Sequence, residues 1–390
     1  MWVAQLLTFV QCMPNQLLDI DTQNTVSSIS EFSVFKNPLF PEYSLRVKYP
    51  KLCDPTVKQI SGYVDISDDR HPVGVGFSYS DTHVDNTTEE IALDVLAFLQ
   101  TFFYAFKEYS TLDFHITGES YAGHYIPAIA KAIYDSNKKI TNAKGSINDG
   151  YINLKSLAIG NGITDPIVQY GKYADFGEDK KYGPIFSKKI IKKMRKAFPF
   201  CRQLIDACYH FQSNYTCVPA TDYCNKHITS YFEKTGLNDY DIRLPPGDTT
   251  FDDMGHDLNV WLNTPSIQSE LGVNIKNRIG CSDKVGHMFD LQGDEMHNLA
   301  KDIPTLLEDG IRVLIYAGDA DWICNWIGNK AWTLELEWQG KQEFNDAKDI
   351  SWVSDITGKK AGEYRRYGNF AFLRVYKSSH FVPLDQVTMY

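Results

Sequence analysis

The sequence predicts an α/β protein built on a mainly parallel sheet with helices on both faces. Short apolar runs typical of buried strands occur near Gly62–Ile66, Phe114–Thr117, Asn153–Ile159, Val313–Tyr316 and Phe370–Tyr376. Stretches with the apolar spacing of helices alternate with them, and this alternation is what parallel strands require, because their connections must cross the sheet. A chain of 390 residues can bury one large core that carries an insertion.

Composition and charge narrow the class further. Hydrophobic residues make up 43% of the chain and aromatic residues 13%, which is typical of a globular protein. The net charge of −10 argues against a nucleic-acid partner, because phosphates require a basic surface. No stretch approaches the ~18 apolar residues that a membrane-spanning helix needs. The sequence also gives no reason to expect a metal ion or a cofactor.

The predicted strand Phe114–Thr117 leads into Gly-Glu-Ser-Tyr-Ala-Gly at residues 118–123, and a helical pattern follows. A serine at a sharp turn from strand to helix is held clear of the sheet, where a base can activate it. The small residues Gly118 and Ala122 let such a turn close. A plain turn before a helix has the same letters, so Ser120 needs partners elsewhere in the chain.

An acid follows the next long apolar run. Val313–Tyr316 has the composition of a buried strand, and Ala-Gly-Asp-Ala-Asp at residues 317–321 comes directly after it. Open α/β sheets place functional groups just beyond the carboxyl ends of their strands. We predict Asp321 to be the orienting acid and Asp319 to be a loop residue that accepts hydrogen bonds from nearby backbone N–H groups.

A histidine follows the last predicted strand. Phe370–Tyr376 is followed by a short turn and His380, and Pro383 limits the loop beyond it. The chain order Ser120, Asp321, His380 is that of α/β-hydrolases. In that mechanism His380 is the general base for Ser120, and Asp321 holds the imidazole tautomer and stabilises its cation.

Several segments resemble one family. Gly118–Gly123 is similar to the serine carboxypeptidase signature, and Ile315–Trp332 is similar to the acid-bearing segment of fungal vacuolar carboxypeptidase Y and its relatives. Val73–Ser80 and Ile159–Pro166 also resemble family signatures. The resemblance extends, with gaps, from about Phe32 to Gln386.

The resemblance implies an α/β-hydrolase fold and a serine carboxypeptidase that releases C-terminal amino acids from peptides and proteins. It implies that the Tyr121 N–H is an oxyanion donor and that Glu119 binds the terminal carboxylate of the substrate. Glu119 would be kept protonated by a neighbouring acid, which predicts activity at acidic pH. Cys324 would be a free thiol of the substrate pocket, although a plain buried cysteine is equally compatible with the pattern.

One family segment is missing. The chain has no Gly-Gly pair, and residues 62–71 continue almost directly into residues 72–76, without the family's Asn-Gly-Gly-Pro-Gly-Cys-Ser-Ser block. In the family, this segment supplies the second oxyanion donor and two groups that bind the substrate carboxylate. In the family, a cysteine of this segment pairs with the position that Cys281 occupies. In this chain Cys53 is the candidate to replace that missing partner of Cys281. We therefore expect an incomplete sheet, and losing one oxyanion donor typically costs ~10²–10³ in turnover.

Other departures lie near the end of the chain. Glu295 stands where relatives have a tryptophan that lines the substrate pocket, and the chain stops at Tyr390, short of the family's closing helix. These changes indicate either relaxed constraint or an incomplete sequence. The alternative to a working carboxypeptidase is a catalytically impaired or inactive relative that acts by binding. A general esterase or lipase is disfavoured, because Glu119 and the Cys324 region resemble a peptidase.

Four cysteines are clustered in the second half of the chain. Cys201, Cys208, Cys217 and Cys224 are separated by 7, 9 and 7 residues. Spacing alone allows three pairings. The resemblance implies a nested pair, with Cys201–Cys224 outside Cys208–Cys217. A zinc site is the competing interpretation, but zinc sites usually have closer cysteine pairs.

The domain prediction has three parts. Residues 1–38 form a leader, either the remnant of a pro-segment or a disordered tail, and a signal peptide at its start stays an open alternative. Residues 39–390 form the α/β-hydrolase domain. Between about residues 167 and 262 the strand–helix rhythm lapses, which predicts an inserted cap over the active site. In this cap Ser187–Lys196 is basic and amphipathic, typical of a solvated helix or of a surface that contacts anionic membranes.

Sequons at Asn86 and Asn214 predict N-linked glycans. Together with the cysteines and the resemblance, they predict a protein of the secretory pathway, located in the vacuole or outside the cell. The expected partners are the C-termini of peptides and proteins.

Overall fold

The structure is a computed structural model and describes residues 32–66, 75–79, 87–143, 150–273, 275 and 277–386. The chain divides into two compact units, which we describe separately. The first contains the described residues within 1–85, 94–110 and 250–285, and the second those within 86–93, 111–249 and 286–390.

The first unit contains an antiparallel sheet of three strands, β1 (Ser33–Asn37), β2 (Phe40–Lys48) and β3 (Ser61–Ile66), in the order β1-β2-β3. The sequence correctly predicted strand β3 but wrongly placed it in the parallel sheet. Its register instead pairs it with β2, and the backbones approach so closely that a Cβ on Gly62 would lie 1.9 Å from the Arg46 carbonyl oxygen.

Strand β1 lies within the segment that we predicted to be part of a leader. It forms a hairpin with β2, so its backbone groups are paired. Asn37 completes the turn, because its side chain accepts a hydrogen bond of 3.0 Å from the Leu39 N–H. The ordered domain therefore starts at least five residues before the predicted boundary at residue 38.

Aromatic side chains of one helix form the core of the first unit. The predicted helix is α1 (Thr88–Ala105), and its residues Phe98 and Phe102 pack with Phe106 against Leu45 and Val47 of β2. The other helices that lie at least partly in this unit are α7 (Thr250–Leu262), α8 (Pro265–Leu271) and α9 (Asp283–Asp290).

The second unit contains the main sheet. Its six strands are β4 (Phe114–Ser120), β5 (Leu154–Gly162), β6 (Arg312–Gly318), β7 (Ile350–Val353), β8 (Lys360–Tyr367) and β9 (Phe370–Val375). They follow the order β4-β5-β6-β9-β8-β7. The first four in this order are parallel to one another, and β8 pairs antiparallel with both β9 and β7. The prediction of a mainly parallel sheet with helices is confirmed.

The parallel strands determine where the site lies. The interiors of the central strands are fully buried, as Ile159, Ile315 and Phe372 show. Polar groups therefore occur where these strands end, and the carboxyl ends of β4, β5, β6 and β9 lie at the same edge of the sheet. The helices that lie wholly in this unit and outside the predicted cap are α2 (Ala122–Asn142), α10 (Ile303–Glu308), α11 (Trp326–Glu335), α12 (Lys341–Asp346) and α13 (Val382–Asp385).

Helices replace the strand–helix rhythm after β5, in the segment that we predicted to be a cap and refer to by that name. They are α3 (Pro166–Tyr170), α4 (Tyr173–Glu178), α5 (Lys188–Phe211) and α6 (Asn214–His227). The last part of the predicted cap, residues 250–262, is helix α7 and is grouped with the first unit.

Two disulfide bonds join α5 and α6 with the nested pairing that the resemblance implied. An outer bond links Cys201 to Cys224, and an inner bond links Cys208 to Cys217. A separation of seven residues is about two helical turns, so the two cysteines of each helix share one face. All four sulfurs are consumed in this way, which excludes the alternative of a zinc site.

The basic stretch at the start of α5 has two different faces. Ile191 and Met194 are buried in the core of the cap, whereas the neighbouring Lys189, Lys192 and Lys193 are exposed. This arrangement fits a solvated cap helix. Within the described residues, no helix combines the length and the hydrophobicity needed to cross a bilayer.

Candidate active site

Ser120 lies at the predicted turn from strand to helix. It is the last residue of β4, and α2 begins two residues later. Its φ of 65° is in the left-handed region, which is strained for a residue with a side chain and is typical of functional turns. Small neighbours allow the turn, because a Cβ on Gly118 would lie 2.7 Å from the Ala122 Cβ and one on Gly123 would lie 2.3 Å from the Ile163 oxygen.

Asp321 and His380 form a buried pair. The His380 Nδ1 lies 2.9 Å from the Asp321 Oδ2, and both side chains are almost completely shielded from solvent. Burial by itself lowers the pKa of His380, but the attraction and the hydrogen bond of Asp321 outweigh it, so the net pKa is raised. Burial raises the pKa of Asp321, and His380 opposes this shift. The acid that we predicted from the sequence is therefore the one that orients the imidazole.

The loops that carry this pair are joined by backbone hydrogen bonds. The Asp319 N–H donates to the Val375 oxygen at 3.0 Å, and the Ala320 N–H donates to the Ser378 oxygen at 2.9 Å. Only glycine fits between the two loops at position 318, since a Cβ there would lie 2.0 Å from a backbone oxygen. The distance between Asp321 and His380 is thus set by backbone contacts.

Asp319 accepts a hydrogen bond from a backbone N–H group, as we predicted, and it also contacts side chains of the cap. Its carboxylate accepts a hydrogen bond of 2.9 Å from the backbone N–H of Lys377, on the loop that leads to His380. It also accepts one of 2.6 Å from the Tyr182 hydroxyl and pairs with Lys181, both from the cap. Burial lowers the pKa of Lys181 to about 8. Asp319 therefore links the acid loop, the histidine loop and the cap.

Asn161 is a site residue to which sequence reasoning assigned no role. Its amide donates to the Asp321 Oδ2 at 2.7 Å and, more weakly, to the Cys324 oxygen at 3.4 Å, while its own oxygen accepts from the Gly318 N–H at 2.9 Å. It is fully buried, and its φ is 39°. The only sequence signal was its position at the carboxyl end of a predicted strand, inside a segment that resembled the family.

The side chain of Ser120 lies at the same sheet edge as the acid–histidine pair. Among the described residues, none forms a hydrogen bond with its hydroxyl, and the Nε2 of His380 likewise has no hydrogen-bond partner. Catalytic hydrogen bonds are often long in the absence of substrate. The structure therefore joins Asp321 to His380 directly and leaves Ser120 and the second imidazole nitrogen available.

The backbone N–H of Tyr121, which we predicted to be an oxyanion donor, is unoccupied among the described residues. It lies next to Ser120, at the start of α2. The carbonyl of the same peptide group, that of Ser120, accepts a hydrogen bond of 3.3 Å from the Ile163 N–H. The peptide plane is thus held at its carbonyl end, which leaves the N–H free to bind a developing negative charge.

Glu119 is a partly buried acid beside the pair. Its carboxyl accepts a hydrogen bond of 3.1 Å from the Tyr316 hydroxyl. The pKa of Glu119 is raised to about 7, mainly by burial; the Tyr316 hydrogen bond and His380 oppose the rise, and the charges of Asp321 and Asp385 add to it. Our expectation named a neighbouring acid as the cause. The structure attributes the shift mainly to burial.

Cys324 and Cys281 both have free thiols, in different environments. Cys324 is buried in the core of the cap, and burial raises the pKa of its thiol. Its backbone N–H donates to the Asp321 Oδ2 at 3.3 Å, so its backbone supports the acid. Cys281 is exposed and unpaired, and Cys53 is disulfide-bonded, so the suggested bond between Cys53 and Cys281 is wrong.

The cap contacts the acid and histidine loops directly. The His380 N–H donates to the Tyr240 oxygen at 2.8 Å, and the two rings lie 5.0 Å apart. Trp322, which follows Asp321 in the chain, stacks on Phe232 with ring centroids 4.7 Å apart. The backbone N–H of Trp322 donates to the backbone oxygen of Asp239. Sequence reasoning missed Phe232, Asp239 and Tyr240, because they are distant in the chain from the loops that they contact.

Two side-chain clusters among the described residues have ligand types that suit a metal ion, but the two cysteines of one are joined in the inner disulfide bond. In the other cluster, atoms of Glu89, Asp294 and His297 lie within 4.8 Å of one another. Both oxygens of Asp294, however, already accept hydrogen bonds from Thr88, and one also accepts from Tyr121. The cluster therefore fits a hydrogen-bonded support better than a cation site.

Comparison with known proteins identifies the family. The serine carboxypeptidase family matches residues 69–389. The chain belongs to the serine carboxypeptidase family. A solved structure of Kex1(delta)p, a prohormone-processing carboxypeptidase from Saccharomyces cerevisiae, is similar over 85% of this chain and 72% of that chain, with a TM-score of 0.69 and 26% identity. The predicted family and fold are thus confirmed.

Fungal relatives show higher identity. Carboxypeptidase Y homolog A of Coccidioides posadasii is 41% identical over 81% of this chain and 57% of its own length. A vacuolar serine-type carboxypeptidase of Saccharomyces cerevisiae is 42% identical over 81% of this chain and 61% of its own length. Carboxypeptidase Y of Schizosaccharomyces pombe is 37% identical over 89% of this chain and 42% of its own. The chain therefore spans about half the length of these relatives.

Proposed function

We propose that this serine carboxypeptidase homologue releases C-terminal amino acids from peptides and proteins through an acyl-enzyme on Ser120. The observation that carries the proposal is the arrangement at the carboxyl edge of the sheet. A strained Ser120, a buried pair of Asp321 and His380, and the unoccupied N–H of Tyr121 are brought there by adjacent strands. These are the parts that acyl transfer needs.

The chemistry follows from the positions of the protons. Asp321 accepts from Nδ1 of His380, so Nε2 has the lone pair that takes the proton of the Ser120 hydroxyl as it attacks the last peptide carbonyl. The same proton is then given to the departing amino acid. A water molecule, deprotonated in turn by His380, attacks the acyl carbon; the bond to Ser120 breaks, and His380 returns the proton to the Ser120 oxygen. Asp321 stays ionised and stabilises the imidazolium that forms in each step.

Glu119 supplies selectivity for a chain end. A protonated carboxyl can donate a hydrogen bond to the terminal carboxylate of a substrate, whereas an ionised one repels it. Because burial raises the pKa of Glu119 to about 7, the group is protonated under acidic conditions. This supports carboxypeptidase over endopeptidase activity, with the best substrate binding on the acidic side of neutrality.

We also propose a location in the secretory pathway, in the vacuole or outside the cell. One relative is named as a vacuolar enzyme, and two disulfide bonds fit an oxidising compartment. Of the two predicted glycosylation sites, Asn214 is exposed at the start of α6, whereas Asn86 lies outside the described residues. A glycan on Asn214 is therefore sterically feasible.

A second candidate function is that of a catalytically impaired relative. It is supported by the missing Gly-Gly segment, which leaves Tyr121 as the one oxyanion donor that we can name within the described residues. The alignment with the Schizosaccharomyces pombe relative extends over 424 positions, more than the 390 residues of the chain, which supports an internal gap. Losing one donor lowers turnover by ~10²–10³ and leaves the serine reactive.

Covalent labelling by a fluorophosphonate probe tests the proposal. The probe reacts with a serine only when a base and an oxyanion donor activate it. We expect labelling of the folded chain, its loss in Ser120→Ala, and no change in the control Ser230→Ala, which alters a half-buried serine whose hydroxyl donates only to the Lys226 backbone oxygen. A folded, monodisperse sample that is not labelled would support the impaired relative. Labelling together with release of C-terminal residues from a peptide would establish the carboxypeptidase.

A further inference from the structure

Asp294 is a fully buried carboxylate to which the proposed chemistry assigns no part. It lies in the short 3₁₀ turn Asp294–Met296. One oxygen accepts from the Tyr121 hydroxyl at 2.6 Å and from the Thr88 hydroxyl at 2.6 Å, and the other accepts from the Thr88 N–H at 2.9 Å. Three donors from two helix starts therefore converge on one buried acid.

A second contact connects the same residue to the helix that follows Ser120. The backbone oxygen of Asp294 lies 3.1 Å from the His124 Nε2, and the Nδ1 of that ring lies 2.7 Å from the Ile163 oxygen. His124 and Tyr121 both belong to the first turn of α2, and their rings lie 4.8 Å apart. Asp294 therefore holds this turn at two points, one through its side chain and one through its backbone.

The held turn contains the oxyanion donor. The orientation of the Tyr121 N–H depends on the peptide plane between Ser120 and Tyr121, whose carbonyl end is fixed by the Ile163 N–H. The Tyr121 side chain extends from the other end of this peptide group. Burial and the charge of Asp294 raise the pKa of Tyr121 above its ordinary value, so the phenol stays protonated and continues to donate.

We propose that Asp294 is a positioning residue that holds the Tyr121 N–H in the orientation required for oxyanion binding. This inference rests on the proposed function. It has particular weight in this chain, because the family segment that carries the second oxyanion donor is missing from the sequence. Because the Tyr121 N–H is the one oxyanion donor that we can name among the described residues, we expect turnover to depend strongly on its orientation.

Tyr121→Phe is the most direct test, because it keeps the ring and removes only the hydrogen bond to Asp294. We expect kcat to fall roughly 10- to 100-fold with KM nearly unchanged, since a misplaced donor affects the transition state more than the bound substrate. The rate of fluorophosphonate labelling should fall in parallel. Asp294→Asn should have the same effect, because the amide nitrogen adds a further donor to a site that already holds three.

Tyr209→Phe is the matched control. Tyr209 donates a hydrogen bond of 2.7 Å to Asp165 and is similarly buried, but it is not near Ser120 in the hydrogen-bond network. Both variants lose one hydrogen bond from tyrosine to carboxylate, and Tyr209→Phe also removes the acceptor of the Ile167 N–H, so its thermal stability should fall at least as much as that of Tyr121→Phe. Only Tyr121→Phe should lose turnover, whereas Tyr209→Phe should stay within about twofold of wild type.

The outcomes separate the inference from the proposed function. An active wild type with equal kcat in the two variants would overturn the positioning role and leave the carboxypeptidase proposal intact. A rise in KM with unchanged kcat would likewise overturn it, since it would show that Tyr121 acts in substrate binding. A folded wild type that neither hydrolyses peptides nor reacts with the probe would refute the proposed function and this role together.

Discussion

Replacing Asn161 by alanine tests whether the orienting acid depends on a residue that contacts no substrate. The substitution removes the 2.7 Å hydrogen bond to Asp321 and leaves the buried Gly318 N–H without its 2.9 Å acceptor. A hydrogen bond to a charged group contributes about 1.5–3 kcal/mol, and an unsatisfied buried donor costs about 1–3 kcal/mol. We therefore expect roughly 2.5–6 kcal/mol of lost unfolding free energy, a large part of a domain's usual ~5–15 kcal/mol.

The effect on turnover follows from the hydrogen bond to Asp321 alone. If its contribution of about 1.5–3 kcal/mol is lost from the transition state, kcat falls roughly 10- to 150-fold. Asn161→Gly should be equally inactive but about 1 kcal/mol more stable than the alanine variant, because the φ of 39° is strained for alanine. Chemical denaturation gives the stability, and hydrolysis of a blocked dipeptide gives kcat.

Asn369→Ala is the matched control for this prediction. The Asn369 amide donates to two backbone oxygens, those of Leu307 and Ile311, at 2.9 and 2.7 Å, and none of these residues belongs to the site. It should lose stability while keeping kcat within about twofold. The reasoning is refuted if Asn161→Ala folds and turns over as fast as this control.

Three further predictions follow from the environments of single groups. In the wild type, KM should rise as the pH increases through about 7, because Glu119 ionises and then repels the substrate carboxylate. In Glu119→Gln this rise should be absent, because the amide cannot ionise, and an unchanged pH profile of KM would contradict the role of this group. Removing the outer disulfide should cost about 3.5 kcal/mol and removing the inner one about 2.5 kcal/mol, because they close 23 and 9 residues; denaturation of the two double-serine variants would show the order. Iodoacetamide at neutral pH should modify the exposed Cys281 in the native protein and spare Cys324, and mass spectrometry of Cys281→Ser would reveal any reaction at the buried thiol.

The catalytic candidates could be predicted because their signals are local. Ser120, Asp321 and His380 each follow a recognisable strand, and parallel strands bring their carboxyl ends to one edge. The cysteine pairing was open on spacing alone. The resemblance selected the nested arrangement, and the hairpin of α5 and α6 explains it, since seven residues return to the same helix face.

Strand pairing was beyond local signals. The apolar pattern correctly marked β3 as a strand, but a strand has the same pattern whichever neighbour it pairs with. Its antiparallel register with β2 placed it in a separate sheet and brought residues 33–37 of the predicted leader into the fold. Contacts between distant parts of the chain decided this outcome.

The sequence by itself determined the family, the nature of the main sheet and the order of the serine, the acid and the histidine. Only the tertiary structure decided what supports them. Asn161 orients Asp321 from 160 residues away, and Asp294 reaches Tyr121 from 173 residues away. Burial rather than a neighbouring acid raises the pKa of Glu119. The physical reason is common to all three, because hydrogen bonding and desolvation depend on which groups surround a side chain after folding.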